Sequence, residues 1–207
     1  MMRGNISFLG FLLPRLKNIS PTVFLRSSVL ASSIFISSLP VLAASSSTTF
    51  NGATPIHFFV QPGIAVGAHA LTVGVTYDWD SEWKTAVGSV KGYWEVAGGY
   101  WHNRDKSADN VLQFGITPVV RLYPDFWSNG WYVEGGIGAN MLTPRYSSGG
   151  KHFSTKFNFG DHLAIGKQFG SNAAQEVSFR WQHFSNGGIK QPNPGENFLQ
   201  VRYAAKW

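Results

Sequence analysis

Cysteine is absent from this chain. That excludes a disulfide framework, a thiol nucleophile and thiolate metal ligands. Charge is scarce too: Asp, Glu, Lys and Arg make up only 14% of 207 residues. The first 44 positions contain no acidic residue, yet Arg3, Arg15, Lys17 and Arg26 all lie there. The net charge of +6 is therefore mostly a property of the N-terminus. The remainder is nearly balanced and carries no basic stripe, which argues against nucleic acid as a partner. No run reaches the roughly 20 apolar residues that a spanning helix needs. A long helical periodicity is missing as well, which leaves strands as the main element.

The N-terminus reads as an export leader. Arg26 precedes an apolar and small-residue run, Val29 to Leu39, which ends in Pro40-Val41-Leu42-Ala43-Ala44. A short Ser-rich run with a small-residue end suits signal peptidase, with cleavage near Ala43 or Ala44. Residues 1–44 are expected to be a cleaved signal peptide, residues 45–54 a flexible stub, and residues 55–207 one β-barrel domain.

Glycine is plentiful (23 residues), and aromatics reach 15%. That mix suits short strands joined by tight turns. Alternation confirms the period. Leu71, Val73, Val75, Tyr77 and Trp79 alternate with Thr72, Gly74, Thr76 and Asp78. Similar patterns run through Val90–Tyr100, Leu112–Leu122, Trp131–Met141, Phe153–Ile165 and Leu199–Trp207. With a first strand near 56–66 and another at 175–185, the count is eight. Eight alternating strands fit a soluble barrel with an apolar inside or a membrane barrel with an apolar outside. Three features favour the membrane. Arg121, Glu134, Lys156, Arg180 and Arg202 on the polar face suit a filled, charged interior. Trp79, Trp83, Trp101, Trp127 and Trp131 near strand ends suit interfacial girdles. The C-terminus, Tyr203-Ala204-Ala205-Lys206-Trp207, is an alternating strand with a terminal aromatic, like the assembly signal of outer-membrane barrels. The expected fold is thus all-β: an eight-stranded antiparallel transmembrane β-barrel of the outer membrane of a Gram-negative bacterium.

The chemistry concentrates at the end of strand 175–185. His183 and Ser185 are two apart and share a face with Val177, Phe179 and Trp181. Ser178, Arg180 and Gln182 take the other face. A base and a hydroxyl on the apolar side are costly to leave unpartnered. His183 can take the proton of Ser185, which then attacks an ester carbonyl. Glu196, across a Gly- and Pro-rich loop, is the nearest carboxylate able to orient the imidazole. Asn186 and the amides after it are placed to hold an oxyanion.

Other groups carry less. Asp161-His162 has no nucleophile beside it and reads as structural or lumenal. His57, His69, His102 and His152 lack metal-ligand spacing. Asp78, Asp80 and Glu82 lack the pattern of a calcium loop. Gly135-Gly136-Ile137-Gly138 falls within a strand, where no dinucleotide loop belongs. No metal and no cofactor is expected.

The segment His183-Phe184-Ser185-Asn186-Gly187-Gly188-Ile189-Lys190-Gln191-Pro192-Asn193-Pro194-Gly195-Glu196 resembles the active-site signature of the PagL-type lipid A 3-O-deacylases. Tyr77-Asp78-Trp79-Asp80, Gly92-Tyr93-Trp94-Glu95, Val133-Glu134-Gly135-Gly136-Ile137-Gly138 and Asn158-Phe159-Gly160-Asp161-His162 resemble the same family in matching order. The resemblance implies an eight-stranded outer-membrane barrel that hydrolyses the 3-position ester of lipid A and releases a 3-hydroxy fatty acid. It implies His183 as base, Ser185 as nucleophile and Glu196 as orienting acid. It implies an oxyanion hole from the Asn186 side chain and the Gly188 amide. It implies lipopolysaccharide in the outer leaflet as the partner, and a homodimer is left open. Two departures stand out. The family pattern can carry one more residue between the glycine and the acid, and Gly187 stands where Ala is common. The competing readings are a non-catalytic small barrel, structural or adhesive, and an exported soluble barrel that binds a lipid in its lumen.

Overall fold

The computed structural model describes residues 57–127 and 130–206. The expected leader (1–44), the stub (45–54) and terminal Trp207 lie outside them. The chain runs through β1 (His57–Ile64), β2 (Ala68–Thr85), β3 (Gly88–Asn103), β4 (Val111–Pro124) and β5 (Trp131–Thr143). A short hairpin comes next, β6 (Ser147–Ser148) and β7 (Lys151–His152). Then come β8 (Phe157–Phe169), β9 (Gln175–Ser185) and β10 (Glu196–Lys206). All but the hairpin close into one eight-stranded antiparallel barrel, with β10 pairing β1 from Ile64 opposite Leu199 to His57 opposite Lys206. Closure matters in lipid, because no strand edge is left with unpaired backbone groups.

Burial is inverted relative to a soluble barrel. Phe179 is 65% exposed and Leu163 66%, whereas Arg180 is 2% exposed. The alternation therefore points its apolar residues outward, over a wall of Val, Leu, Ile and Phe far larger than a soluble protein exposes. This is the membrane arrangement the sequence favoured.

Inside lies a balanced network of three arginines and three glutamates. Arg180 makes paired bonds to Glu95 at 2.9 and 3.1 Å and one to Glu134 at 3.1 Å. Arg121 bonds Glu134 at 2.9 Å and Glu176 at 2.8 Å, and Arg202 bonds Glu176. Buried charge is tolerated when it is paired and hydrogen-bonded in this way. Lys156, expected in the network, is exposed in the loop before β8 instead. Glu95 and Glu176 supply the missing acids.

The two barrel ends differ. Residues 86–87, 125–130 and 170–174 connect strands at the end that holds the start of β1 and the end of β10. Residues 104–110, 144–156 and 186–195 make longer connections at the other end. Long connections mark the extracellular side of such barrels. That mouth is plugged by an apolar cluster of Trp101, Tyr146, Phe153, Phe184, Phe198 and Leu142. Trp101 is therefore no girdle residue: its ring is buried, and its indole N–H donates to Gln113 at 3.1 Å. Phe153 likewise belongs to the plug and not to a strand. Trp83 and Trp131 do face outward near strand ends, as a girdle requires.

Candidate active site

β9 carries the dyad to the extracellular rim. It is flanked by β8 and β10, and the register aligns Asp161, His183 and Asn197 in one row across three strands. Ser185 lies opposite Phe159. Alternation puts Phe179, Trp181, His183 and Ser185 on the outer face, while Arg180, Gln182 and Phe184 are buried inside. The expected outward orientation of the dyad is what the structure has.

The imidazole of His183 is held from several sides. The Trp181 ring stacks against it at 6.3 Å between centroids and 26° between planes. Beneath it lies Gly195, at φ +63°, where an added Cβ would sit 2.5 Å from His183 Cε1. Only a residue without a side chain leaves room for the ring there. His183 Nδ1 meets Asn197 Oδ1 at 2.8 Å. An amide oxygen only accepts, so this bond needs the proton on Nδ1. In the neutral ring Nε2 then carries the lone pair that a general base requires.

Ser185 Oγ accepts the Gly187 amide at 3.4 Å. Among the described residues no hydrogen bond joins Ser185 to His183. Such contacts commonly tighten only around a substrate. The expected oxyanion donors are near but engaged. Asn186 Nδ2 donates to Ser154 Oγ at 3.0 Å and to the Lys190 carbonyl at 2.7 Å. The Gly188 amide donates to Asn186 Oδ1 at 2.9 Å. These bonds build the turn after Ser185, and of its amides the Gly187 N–H is the one aimed at the hydroxyl.

Glu196 is not brought to His183. It lies opposite Phe184, one step out of phase, so its side chain turns inward and is buried. There Oε2 accepts the Tyr146 hydroxyl at 2.6 Å, and Oε1 accepts Lys151 Nζ at 2.8 Å. Burial and this bond raise the Tyr146 phenol well above its ordinary value. Glu196 thereby ties the 144–156 loop to the barrel mouth.

Two further features adjoin the dyad. Asp161, expected to be structural or lumenal, faces outward beside His183, while its neighbour His162 is buried inside. Below Trp181, the outer wall has an apolar groove of about 760 Å³, lined by Val120, Leu163, Ile165, Phe179, Trp181 and Leu199. A second serine–histidine contact, Ser147 Oγ to His152 Nδ1 at 2.7 Å, is a cross-strand pair of the exposed β6–β7 hairpin. It lies away from the apolar wall.

Comparison with known proteins agrees with this fold. The family model for lipid A 3-O-deacylase (PagL) matches residues 67–206. The lipid A deacylase PagL of Pseudomonas aeruginosa is 34% identical over 169 residues, covering 80% of this chain and 94% of that protein. The lipid A deacylase PagL of Bordetella bronchiseptica is 30% identical over 158 residues, covering 73% and 84%. The crystal structure of the outer membrane enzyme PagL superposes with a TM-score of 0.62 at 25% identity, covering 72% of this chain and 98% of that one. With its closed barrel, its outward base and hydroxyl, and relatives matched over most of their length, the chain belongs to the lipid A 3-O-deacylase (PagL) family.

Proposed function

We propose that this protein is an outer-membrane serine esterase that hydrolyses the 3-position ester of lipid A, with Ser185 as nucleophile and His183 as base. Its family supports the substrate. One observation carries the residue roles: His183, its Nδ1 held by Asn197 Oδ1 and its ring on the outer wall at the extracellular rim, stands two positions from Ser185. Lipid A is itself a component of the outer leaflet, and its esters lie just below the sugar headgroup. A site on the wall at that depth meets the bond by lateral diffusion. The groove below Trp181 is placed to take the acyl chain.

The reaction then runs in two halves. Ser185 Oγ forms a bond to the ester carbonyl carbon as its proton passes to His183 Nε2. The carbonyl oxygen becomes an oxyanion, met by the Gly187 N–H. The Gly188 N–H and the Asn186 amide reach it after exchanging their present loop partners. Collapse breaks the bond to the sugar oxygen, which takes the proton from the imidazolium. Water, deprotonated by His183, next attacks the acyl-serine, releasing the 3-hydroxy fatty acid and restoring Ser185. These steps call on no cofactor. Export through residues 1–44 and removal of that leader belong to the same reading.

Replacing Ser185 by Ala tests it. The variant is combined with lipopolysaccharide in mixed micelles, and lipid A is weighed by mass spectrometry. Loss of the 3-position acyl group is expected to slow by on the order of 10⁶-fold, with heat-modifiable gel migration still reporting a closed barrel. Continued deacylation by the folded variant overturns the reading. A wild-type protein that folds but releases nothing favours the non-catalytic barrel.

A further inference from the structure

We propose that His183 is positioned by the neutral side chain of Asn197, and that the negative charge of a triad acid is supplied from the opposite strand by Asp161. The inference rests on the Ser185–His183 reading. It starts from the register. His183 on β9 has Asn197 on one side, on β10, and Asp161 on the other, on β8. All three take outward positions. Trp181 and Ser185 flank His183 on its own strand, and Gly195 lies under its ring. Asp161 is therefore the titratable group that faces the imidazole across a strand boundary.

The nearer carboxylate is committed elsewhere. Glu196 is turned through the barrel wall and accepts from Tyr146, Lys151 and the Asn197 amide. Reaching His183 would strip Tyr146 and Lys151 of their partner in a buried site. Asn197 holds the hydrogen bond that an orienting acid makes, at 2.8 Å to Nδ1.

An amide fixes the tautomer but does not neutralise the imidazolium that forms when Ser185 gives up its proton. The labour is therefore divided. Asn197 orients through a hydrogen bond, and Asp161 stabilises through its charge. Directly opposed side chains have Cβ atoms about 5 Å apart, close enough for a carboxylate at a lipid-covered surface to act without touching. Asn197 and Asp161 are positioning residues, acting on the ester through His183.

The test uses full-length protein and a pH profile of kcat/KM on lipopolysaccharide. N197L is expected to lower kcat by about 10²-fold, with KM little changed. N197D is expected to keep kcat and move the acid limb to higher pH, because a second negative charge favours imidazolium. D161N is expected to lower kcat and move the acid limb to lower pH. The double variant N197D/D161N is expected to recover the kcat that D161N lost, since the charge has only changed sides. E196Q is expected to leave the limb where the wild type has it. Folding is checked by heat-modifiable migration, and N197D covers the case in which N197L does not fold. The proposal is overturned if N197L keeps full kcat, or if E196Q rather than N197L lowers kcat and displaces the limb. It is also overturned if D161N raises KM alone, which would make Asp161 a substrate contact. Full activity in S185A would instead overturn the underlying reading, so the two failures are distinguishable.

Discussion

Gly195→Ala should separate the position of His183 from the stability of the barrel. At Gly195 the backbone has φ +63°, and a new Cβ would lie 2.5 Å from His183 Cε1 and 3.1 Å from Nε2. The backbone strain of an alanine there is about 1–2 kcal/mol. The contact is worse, because a 2.5 Å approach forces the ring aside by about 1 Å to restore ordinary van der Waals spacing. Misplacing a catalytic group by about 1 Å costs on the order of 10² in rate, or about 2.7 kcal/mol of activation free energy. The expected variant therefore folds, shows heat-modifiable migration and releases fatty acid about 100-fold more slowly. Gly150→Ala is the control. Gly150 has φ +73° and nothing within 4 Å of its added Cβ, so it carries the same strain without the collision. Its turnover should match the wild type. Wild-type turnover in Gly195→Ala would refute the reasoning, since the base would then work from a place the structure does not show.

Two other perturbations probe the support of the site. Arg180→Met removes the cation that serves both Glu95 and Glu134 inside the barrel. Glu134 keeps Arg121, but Glu95 keeps only a 3.6 Å contact to Arg202. Breaking this buried pairing should cost about 3 kcal/mol, read as a lower urea midpoint for unfolding in detergent; an unchanged midpoint would count against the network. Tyr146→Phe removes the donor to Glu196 and should loosen the 144–156 loop by about 1.5–3 kcal/mol, seen as faster amide exchange there. The sign of the pH dependence comes from the raised phenol. The folded state holds this proton more tightly than the unfolded one, so the stabilisation is complete below the ordinary phenol value, about 10, and fades as pH rises beyond it. Wild-type loop exchange should accelerate above that pH, and the variant should lack the step.

Most of the barrel is legible in the sequence because lipid enforces one rule on every strand. One face must be apolar, so period-two alternation survives along each segment, and strand 175–185 is bounded to the residue. Elements that escape the rule mislead. Trp101 shares its parity with Glu95 and Gly99, which points it inward, yet an aromatic near a strand end suggests a girdle. Phe153 and Lys156 lie in a loop, where alternation has no meaning. The third member of the site fails through phase. Leu199, Val201 and Tyr203 define the outward set of β10, which includes Asn197 and excludes Glu196. That parity leads to the partner of His183, whereas residue chemistry leads to the acid, and a one-residue step reverses the face. Asp161 is beyond reach in a different way. Its outward phase is readable from Phe159, Leu163 and Ile165. Its neighbour across the strand boundary depends on pairing register, which the turn at 170–174 sets.

The proposed location of the chemistry fits how the interior is occupied. Three arginines and three glutamates fill the lumen with paired charge, and the apolar plug around Trp101 closes the extracellular mouth. A lipid could enter such a barrel only by breaking paired charges or displacing that plug. The outer wall has neither obstacle. Its middle, however, is surrounded by hydrocarbon, where a charged intermediate such as imidazolium is expensive. The rim is the one zone that meets both demands: an acyl chain can lie along the wall below it, while polar groups and headgroup water sit beside it. His183 and Ser185, the proposed catalytic pair, are at the last turn-ward positions of β9, in that zone. A catalytic pair placed deeper on the same face, at Phe179 and Trp181, would have the groove but lose the polar surroundings that let a proton move.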